Sequence, residues 1–364
     1  MTPQARISAA IELLEAGFAS RSPFDRFVSS WLRARRFIGA GDRRAIMERV
    51  YAVMRRRRAL DWWCTRLSDV APDWRTRVIA AMVLSGGSTT AEVAALFDGS
   101  TYGPPVLTPA ERALAGGLEG QGLDHPDQPL AIRANYPDWI EPFLRRRFGG
   151  HLEEEVMALN GAAPVDLRVN TLKARRAAAR AQLAAEGVDT EPTPLSPLGL
   201  RLLGRRPLGA SRCFSEGLIE VQDEGAQLAS MLAGARPGMM VADYCAGAGG
   251  KALAMAARME NRGRILALDV SPRIARAAPR MARAGVSIVE LVQIGEDGAA
   301  DERAGRFDRV LADVPCTGTG TWRRDPARRW RMTRAEIDSL VAQQRRILEQ
   351  AAKLVAPGGR FVYV

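Results

Sequence analysis

From Pro237 onward the chain alternates short apolar runs, at 239–244, 264–270, 287–293, 307–313 and 359–364, with helical spacers between most of them. Parallel strands need long crossovers and helices supply them, so this rhythm predicts an α/β fold with a doubly wound parallel sheet. In open sheets of that kind, ligands sit beyond the carboxyl ends of the strands, where the strand order reverses. Two turns fall at such ends, and both carry chemistry.

The first turn is V-A-D-Y-C-A-G-A-G-G-K, in which Gly247, Gly249 and Gly250 follow Asp243 and open a helix. Asp269 lies 20 residues beyond Gly249 at the end of the next strand, a spacing that places a carboxylate over a ribose. Gly247, Gly249 and Ala252 also satisfy G-x-G-x-x-A, so the loop alone does not separate NAD from S-adenosylmethionine. A phosphate-gripping P-loop is disfavoured, because Lys251 is followed by alanine where Ser or Thr is required. Cys245 reads as a small packing residue. Lys251 is informative because only three of the 52 cations are lysines.

The second turn, A-D-V-P-C-T-G-T-G, puts Asp313 and Cys316 at the end of the fourth strand. An aspartate that caps turn amides and a cysteine that merely packs would give the same letters. Gly318 and Gly320, with the Trp322-Arg323-Arg324 and Arg328-Arg329-Trp330-Arg331 run behind them, favour a substrate of bases and phosphates. The run could equally be a solvated helix face. A thiol beside a methyl-donor pocket suits pyrimidine C5, which becomes nucleophilic once a thiolate adds at C6. Asp313 would contact the N3 and N4 edge of a cytosine lifted from its stack.

Upstream, residues 1–125 show only helical spacing: Ile7, Ile11, Leu14; Phe24, Phe27, Trp31; Ile46, Val50, Val53. Arg55, Arg56, Arg57 and Arg58 close the third of these helices beside Trp62 and Trp63, either as an RNA-phosphate patch or as a solvated end over a tryptophan pair. A stretch rich in Gly, Pro and Asp at 116–138 reads as a linker, and residues 126–235 read as that linker plus a small α+β subdomain. The catalytic part then occupies 236–364. Its last helix is expected to turn Ile337, Leu340, Val341, Leu348 and Val355 to the sheet and to stop at Pro357-Gly358-Gly359. A net charge of +11 suits a polyanionic partner. Four scattered cysteines and two histidines indicate neither zinc site nor disulfide framework. No signal peptide or membrane span is evident, so a cytoplasmic protein is expected, and a monomer is the default because no long unpaired apolar stripe outside the last edge calls for a partner.

Taken together, D-Y-C-A-G-A-G-G-K, A-D-V-P-C-T-G-T-G-T-W-R-R-D-P, L-R-V-N-T-L-K and V-Q-D-E-G-A-Q-L resemble the Sun/RsmB-type RNA cytosine-5 methyltransferases over about 160–364. Residues 1–125 are more loosely similar to the NusB-like RNA-binding module of bacterial members. The resemblance implies a Rossmann-like catalytic domain that uses S-adenosylmethionine to form 5-methylcytidine in RNA, small-subunit rRNA or possibly tRNA. It implies cofactor contacts from Cys245, Ala246, Gly247, Ala248, Gly249, Gly250 and Lys251, with Asp269 on the ribose, Asp297 near the adenine and Asp313 at the reacting end. Lys251, Asp313 and Cys316 would serve catalysis, and Arg55, Arg56, Arg57 and Arg58 with Arg323, Arg324, Arg328 and Arg329 would meet RNA. No metal is implied. Gly247 and Ala248 stand where the family usually has Ala-Pro, and Ala252 where it has threonine. In the family the attacking cysteine follows the fifth strand, and the one matching Cys316 assists product release. On that pattern the attacking thiol is expected beyond Val364, and an apolar last strand with nothing beside it is expected to be an incomplete edge. Two rival readings remain: an NAD-dependent oxidoreductase, which needs only the glycine loop and Asp269, and a non-catalytic RNA-binding or assembly factor.

Overall fold

The computed structural model describes residues 1–68, 71–204, 208–295, 298 and 301–364. The chain divides into two compact units, Met1–Ala163 with Gly318–Thr333, and Pro164–Thr317 with Arg334–Val364. The helical unit therefore reaches well past residue 125. It also takes in a late segment that the sequence assigned to the catalytic part.

The helical unit is built on α1 (Pro3–Ala19), α2 (Phe24–Ala34), α3 (Ala40–Arg55), α4 (Arg57–Leu67), α5 (Trp74–Leu84), α6 (Thr90–Leu96) and α7 (Pro109–Leu118). Ile7, Leu14, Ile46, Val50, Val53 and Ile79 repeat at helical spacing and are all fully buried in one core. Thr89 and Thr108 each close a capping box with a glutamate three residues on, which fixes where α6 and α7 begin. The 116–138 stretch is no free linker. Trp63 donates to the Leu123 carbonyl at 3.0 Å, Tyr136 is fully buried, and the Asn135 amide donates to the Met54 carbonyl at 3.0 Å. These bonds hold the following short helices against the break between α3 and α4.

Residues 318–333 complete this unit through Arg329, whose side chain has no exposed surface. Its guanidinium donates to the Asn135 carbonyl at 2.7 Å, the Asn160 Oδ1 at 2.8 Å and the Leu159 carbonyl at 3.2 Å, with its carbon 4.8 Å from the Trp322 ring centre. Burial pushes the Arg329 pKa down to about 9, with Arg55 adding to the effect. The neighbouring Arg331 donates to the Gly17 and Ser22 carbonyls.

The second unit holds two sheets. In the smaller, β1 (Asp166–Val169), β2 (Thr190–Pro192), β3 (Gly199–Leu202) and β4 (Ile219–Val221) pair antiparallel in the order β2-β3-β1-β4. Leu167, Val169, Leu200 and Ile219 bury against Ala179 and Leu183 of the helix Arg176–Ala185. The larger contains β5 (Met240–Tyr244), β6 (Arg264–Asp269), β7 (Val289–Gln293), β8 (Phe307–Ala312) and β9 (Val355–Tyr363), all parallel in the order β7-β6-β5-β8-β9. This is the expected doubly wound α/β sheet, with its reversal between β5 and β8.

The last helix and strand depart from expectation. Pairing with β8 resumes as early as Val355, and a register shift takes up Ala356–Gly359, so the Pro-Gly-Gly run is a bulge inside β9. The helix Arg334–Lys353 meets the sheet through Ile347 and Ala351, with Leu354 just past its end, while Val341 and Leu348 are 51% and 40% exposed. Among the described residues, no helix is long and apolar enough to cross a membrane.

Candidate active site

The parallel pairing of β5 with β6 and β8 brings the two glycine turns to the same edge of the sheet. The first turn is held by unusual backbone. Cys245 adopts φ +66°, and Gly249 adopts φ +75° as the residue just before the helix Gly250–Arg258. A Cβ at Gly249 would lie 2.6 Å from Met281 Cε and 2.9 Å from Ala277 Cβ, so glycine is required there for both conformation and space. Asp269 bridges the turn to β6: its carboxylate accepts the Gly247 N–H and the Ser271 N–H, each at 2.7 Å.

Across the reversal point, Lys251 of the first turn forms an ion pair with Asp313 of the second, joining residues 62 apart in sequence. Beneath them Asp243 is fully buried. Its carboxyl is pushed up to about 7 by burial, with the Asp313 and Asp269 charges adding to the rise and Lys251 and the Ala252 amide opposing it. Burial likewise pushes the Cys245 thiol up to about 12, helped by the nearby aspartates, which favours the protonated thiol near neutral pH. Of the four free cysteines, Cys64 and Cys213 are buried, Cys245 is half-buried and Cys316 is exposed.

A cleft of about 520 Å³ opens at this edge, lined by Tyr244, Cys245, Asp269, Asp313, Pro315 and Ile347 among others. Cys316 directly follows Pro315, whose carbonyl accepts a 2.8 Å hydrogen bond from Gln344 Nε2. A glycine-cradled turn, an acidic residue at the end of β6 and a cleft of this size suit S-adenosylmethionine. Asp297 lies outside the described residues.

Residues 230–364 match the 16S rRNA methyltransferase RsmB/F family, and residues 136–208 match the ferredoxin-like domain of RsmF/B-like methyltransferases. A probable ribosomal RNA small subunit methyltransferase B from Synechocystis sp. is 32% identical over 351 residues, covering 88% of this chain and 77% of its own length. The corresponding protein of Bacillus subtilis is 30% identical over 66% of this chain, which spans about half (54%) of that relative. A solved methyltransferase homologue from Pyrococcus horikoshii superposes with a TM-score of 0.57 at 28% identity, over 64% of this chain and 74% of its own. The chain belongs to the RsmB/F methyltransferase family. Its methyl donor is S-adenosylmethionine, and nothing in these relatives supports an NAD-dependent oxidoreductase.

Within this RsmB/F chain, Cys245, Asp269 and Asp313 line the cleft directly, and Lys251 reaches it through Asp313. Ala246, Gly247, Ala248, Gly249 and Gly250 form the turn behind them. The arginines expected to meet RNA are distributed differently. Arg329 is buried and therefore unavailable to RNA, because its guanidinium is the hydrogen-bond donor that closes the helical unit. Arg58 pairs with Asp138 at 2.7 Å and donates to the Tyr136 carbonyl. Arg57 lies over the Trp330 ring at 4.8 Å, Arg55 donates to the Arg323 carbonyl, and Arg323 donates to the Ala162 carbonyl. Arg324 is exposed; Arg56 and Arg328 are half-buried. The four-arginine run does not close one helix but straddles the break between α3 and α4.

The sequence reading missed Gln343, Arg346 and Gln350, which also line the cleft from the last helix. Tyr244 Oη donates to Gln350 Oε1 at 2.9 Å. Their signal is a polar stripe at i, i+3 and i+7 on a helix whose apolar residues drew attention instead.

Proposed function

We propose that this protein methylates C5 of a cytosine in RNA, with small-subunit ribosomal RNA as the substrate. The observation that carries the reading is the Lys251–Asp313 ion pair, which ties the donor turn to the Pro315-Cys316 turn at one cleft. S-adenosylmethionine, when bound, supplies an electrophilic methyl group. Asp269 and the glycine turn hold the donor. Asp313 accepts from the N4 amino group of a cytosine lifted from its stack, and from N3–H as the ring takes up a proton there, and Lys251 fixes the orientation of that carboxylate. Addition of an enzyme thiolate other than Cys316 at C6 makes C5 nucleophilic, and C5 takes up the methyl group; the C5 proton then passes to the Cys316 thiolate as the C6–S bond breaks, which restores the C5=C6 double bond and frees the attacking thiolate. Arg324, with Arg56 and Arg328, meets phosphates of the RNA. The same reading puts the protein in the cytoplasm with its RNA.

Bisulfite sequencing of ribosomal RNA from a strain lacking the gene tests the substrate. One 5-methylcytidine of the small-subunit RNA should disappear, and an unchanged methylation map would refute the proposal. The role of Cys316 is tested with 5-fluorocytosine RNA and S-adenosylmethionine. A covalent adduct mapped to Cys316 by mass spectrometry would show that it attacks C6 and does not serve release.

A further inference from the structure

The donor turn is gripped from behind by residues outside both the cleft and the glycine motif. Arg280, on the helix Ala277–Ala284, donates to the Ala248 carbonyl at 2.8 Å through one guanidinium nitrogen and to Glu220 at 3.1 Å through the other. Glu220 belongs to β4 of the small sheet and is 2% exposed. It also pairs with Arg283 and stands directly across the ladder from Arg168. Arg168 is buried as well and donates to Gln222 Oε1 at 2.6 Å, while Gln222 Nε2 donates to the Gly250 carbonyl at 3.3 Å. Two carbonyls of the turn, at Ala248 and Gly250, are thus anchored by side chains that answer to the small sheet. The Gly247 N–H of the same turn donates to Asp269 at 2.7 Å.

A buried carboxylate is tolerated only when its partners are in place, so Glu220 fixes Arg280 rather than following it. The small sheet is braced against the same helix at its other end. Asn170 Nδ2 donates to the Ala284 carbonyl at 2.8 Å, Lys173 Nζ donates to the Arg283 carbonyl at 2.7 Å, and a Cβ on Gly217 would lie 2.1 Å from that same Arg283 oxygen. Such close packing leaves the helix little freedom to slide, and Arg280 transmits its position to the turn.

We infer that Arg280, set by Glu220 of the small sheet, is a positioning residue for the methyl-donor turn, so that the small subdomain governs donor affinity without touching the donor. The inference rests on the turn binding S-adenosylmethionine, and its test separates the two ideas. In the full chain, Arg280→Met keeps the apolar stem and removes both bonds. Calorimetry should show S-adenosylhomocysteine binding weakened about tenfold, the scale of one lost charge-assisted bond. Hydrogen exchange of the 245–252 peptide in the ligand-free protein should accelerate. Arg280→Lys, which can serve one acceptor at a time, should fall between the two. Arg283→Met is the control, because Arg283 pairs with Glu220 and stacks on Phe214 at 3.9 Å, and no bond from it to the turn is seen among the described residues. It should lower the melting temperature while leaving the affinity within about twofold.

The inference is overturned if Arg280→Met exchanges its turn amides at the parental rate, or if Arg283→Met weakens binding as much as Arg280→Met. If the parent chain binds no S-adenosylhomocysteine, the donor assignment fails. The exchange rates of the turn then still decide whether Arg280 holds it.

Discussion

Replacing Asp243 with asparagine isolates the cost of placing an ionisable group under the donor turn. The carboxyl is fully buried, and its pKa stands at about 7 against an ordinary 3.8. Between those values the folded protein keeps a proton that the unfolded chain releases. The stability that this group contributes is therefore fully present below about pH 4 and is lost as the pH rises through 7. Relative to the acid limit, the loss amounts to about 2 kcal/mol at pH 5 and about 4 kcal/mol at pH 8. An asparagine side chain is nearly isosteric with the acid and does not titrate. The stability of Asp243→Asn relative to the parent should thus climb by about 2 to 3 kcal/mol between pH 5 and pH 8. Urea unfolding of both proteins at half-unit pH steps, followed by circular dichroism, measures that difference directly. A difference that stays flat with pH would show that Asp243 is ionised throughout and that Lys251 fully compensates its burial. A difference that falls with pH would reverse the sign of the argument.

Two further substitutions probe the two units separately. Arg329→Ala leaves the Asn135 and Leu159 carbonyls and Asn160 Oδ1 without their donor, and should cost the helical unit about 3 to 5 kcal/mol in urea unfolding monitored by tryptophan fluorescence; a loss under about 1 kcal/mol would mean that water replaces the guanidinium. Gly249→Ala forces a side chain into the left-handed region and against Met281 and Ala277, and should weaken S-adenosylhomocysteine binding by at least about tenfold in calorimetry, with parental affinity refuting the need for glycine.

The catalytic sheet was legible because most of its strands are apolar runs separated by helical spacers, with glycine turns after β5 and β8. The meeting of Lys251 with Asp313 was implied by the strand order, since turns after neighbouring parallel strands must share an edge. What escaped was decided by tertiary context. Val341 and Leu348 have the right spacing for a sheet-facing stripe, yet the helix seats Ile347 and Ala351 on the sheet and leaves those two largely exposed. Arg329 sits in a run of arginines that reads as surface, and only the open carbonyls near Asn135 give it an interior position. Glu220 and Arg280 are ordinary charges in sequence, because nothing local shows that one is buried or that the other reaches a turn.

The late segment that carries Trp322 and Arg329 also orders events at the ribosome. A chain emerging from its amino end presents α1 to α7 first, but the acceptors at Asn160 and Asn135 wait for a donor 169 and 194 residues away. Until the polypeptide is synthesised past Thr333, the helical unit has an open seam, and most of the α/β sheet has already been made by then. Closure of such a seam is a long-range event with a high loop-closure cost, so it is expected to set the slow phase of folding.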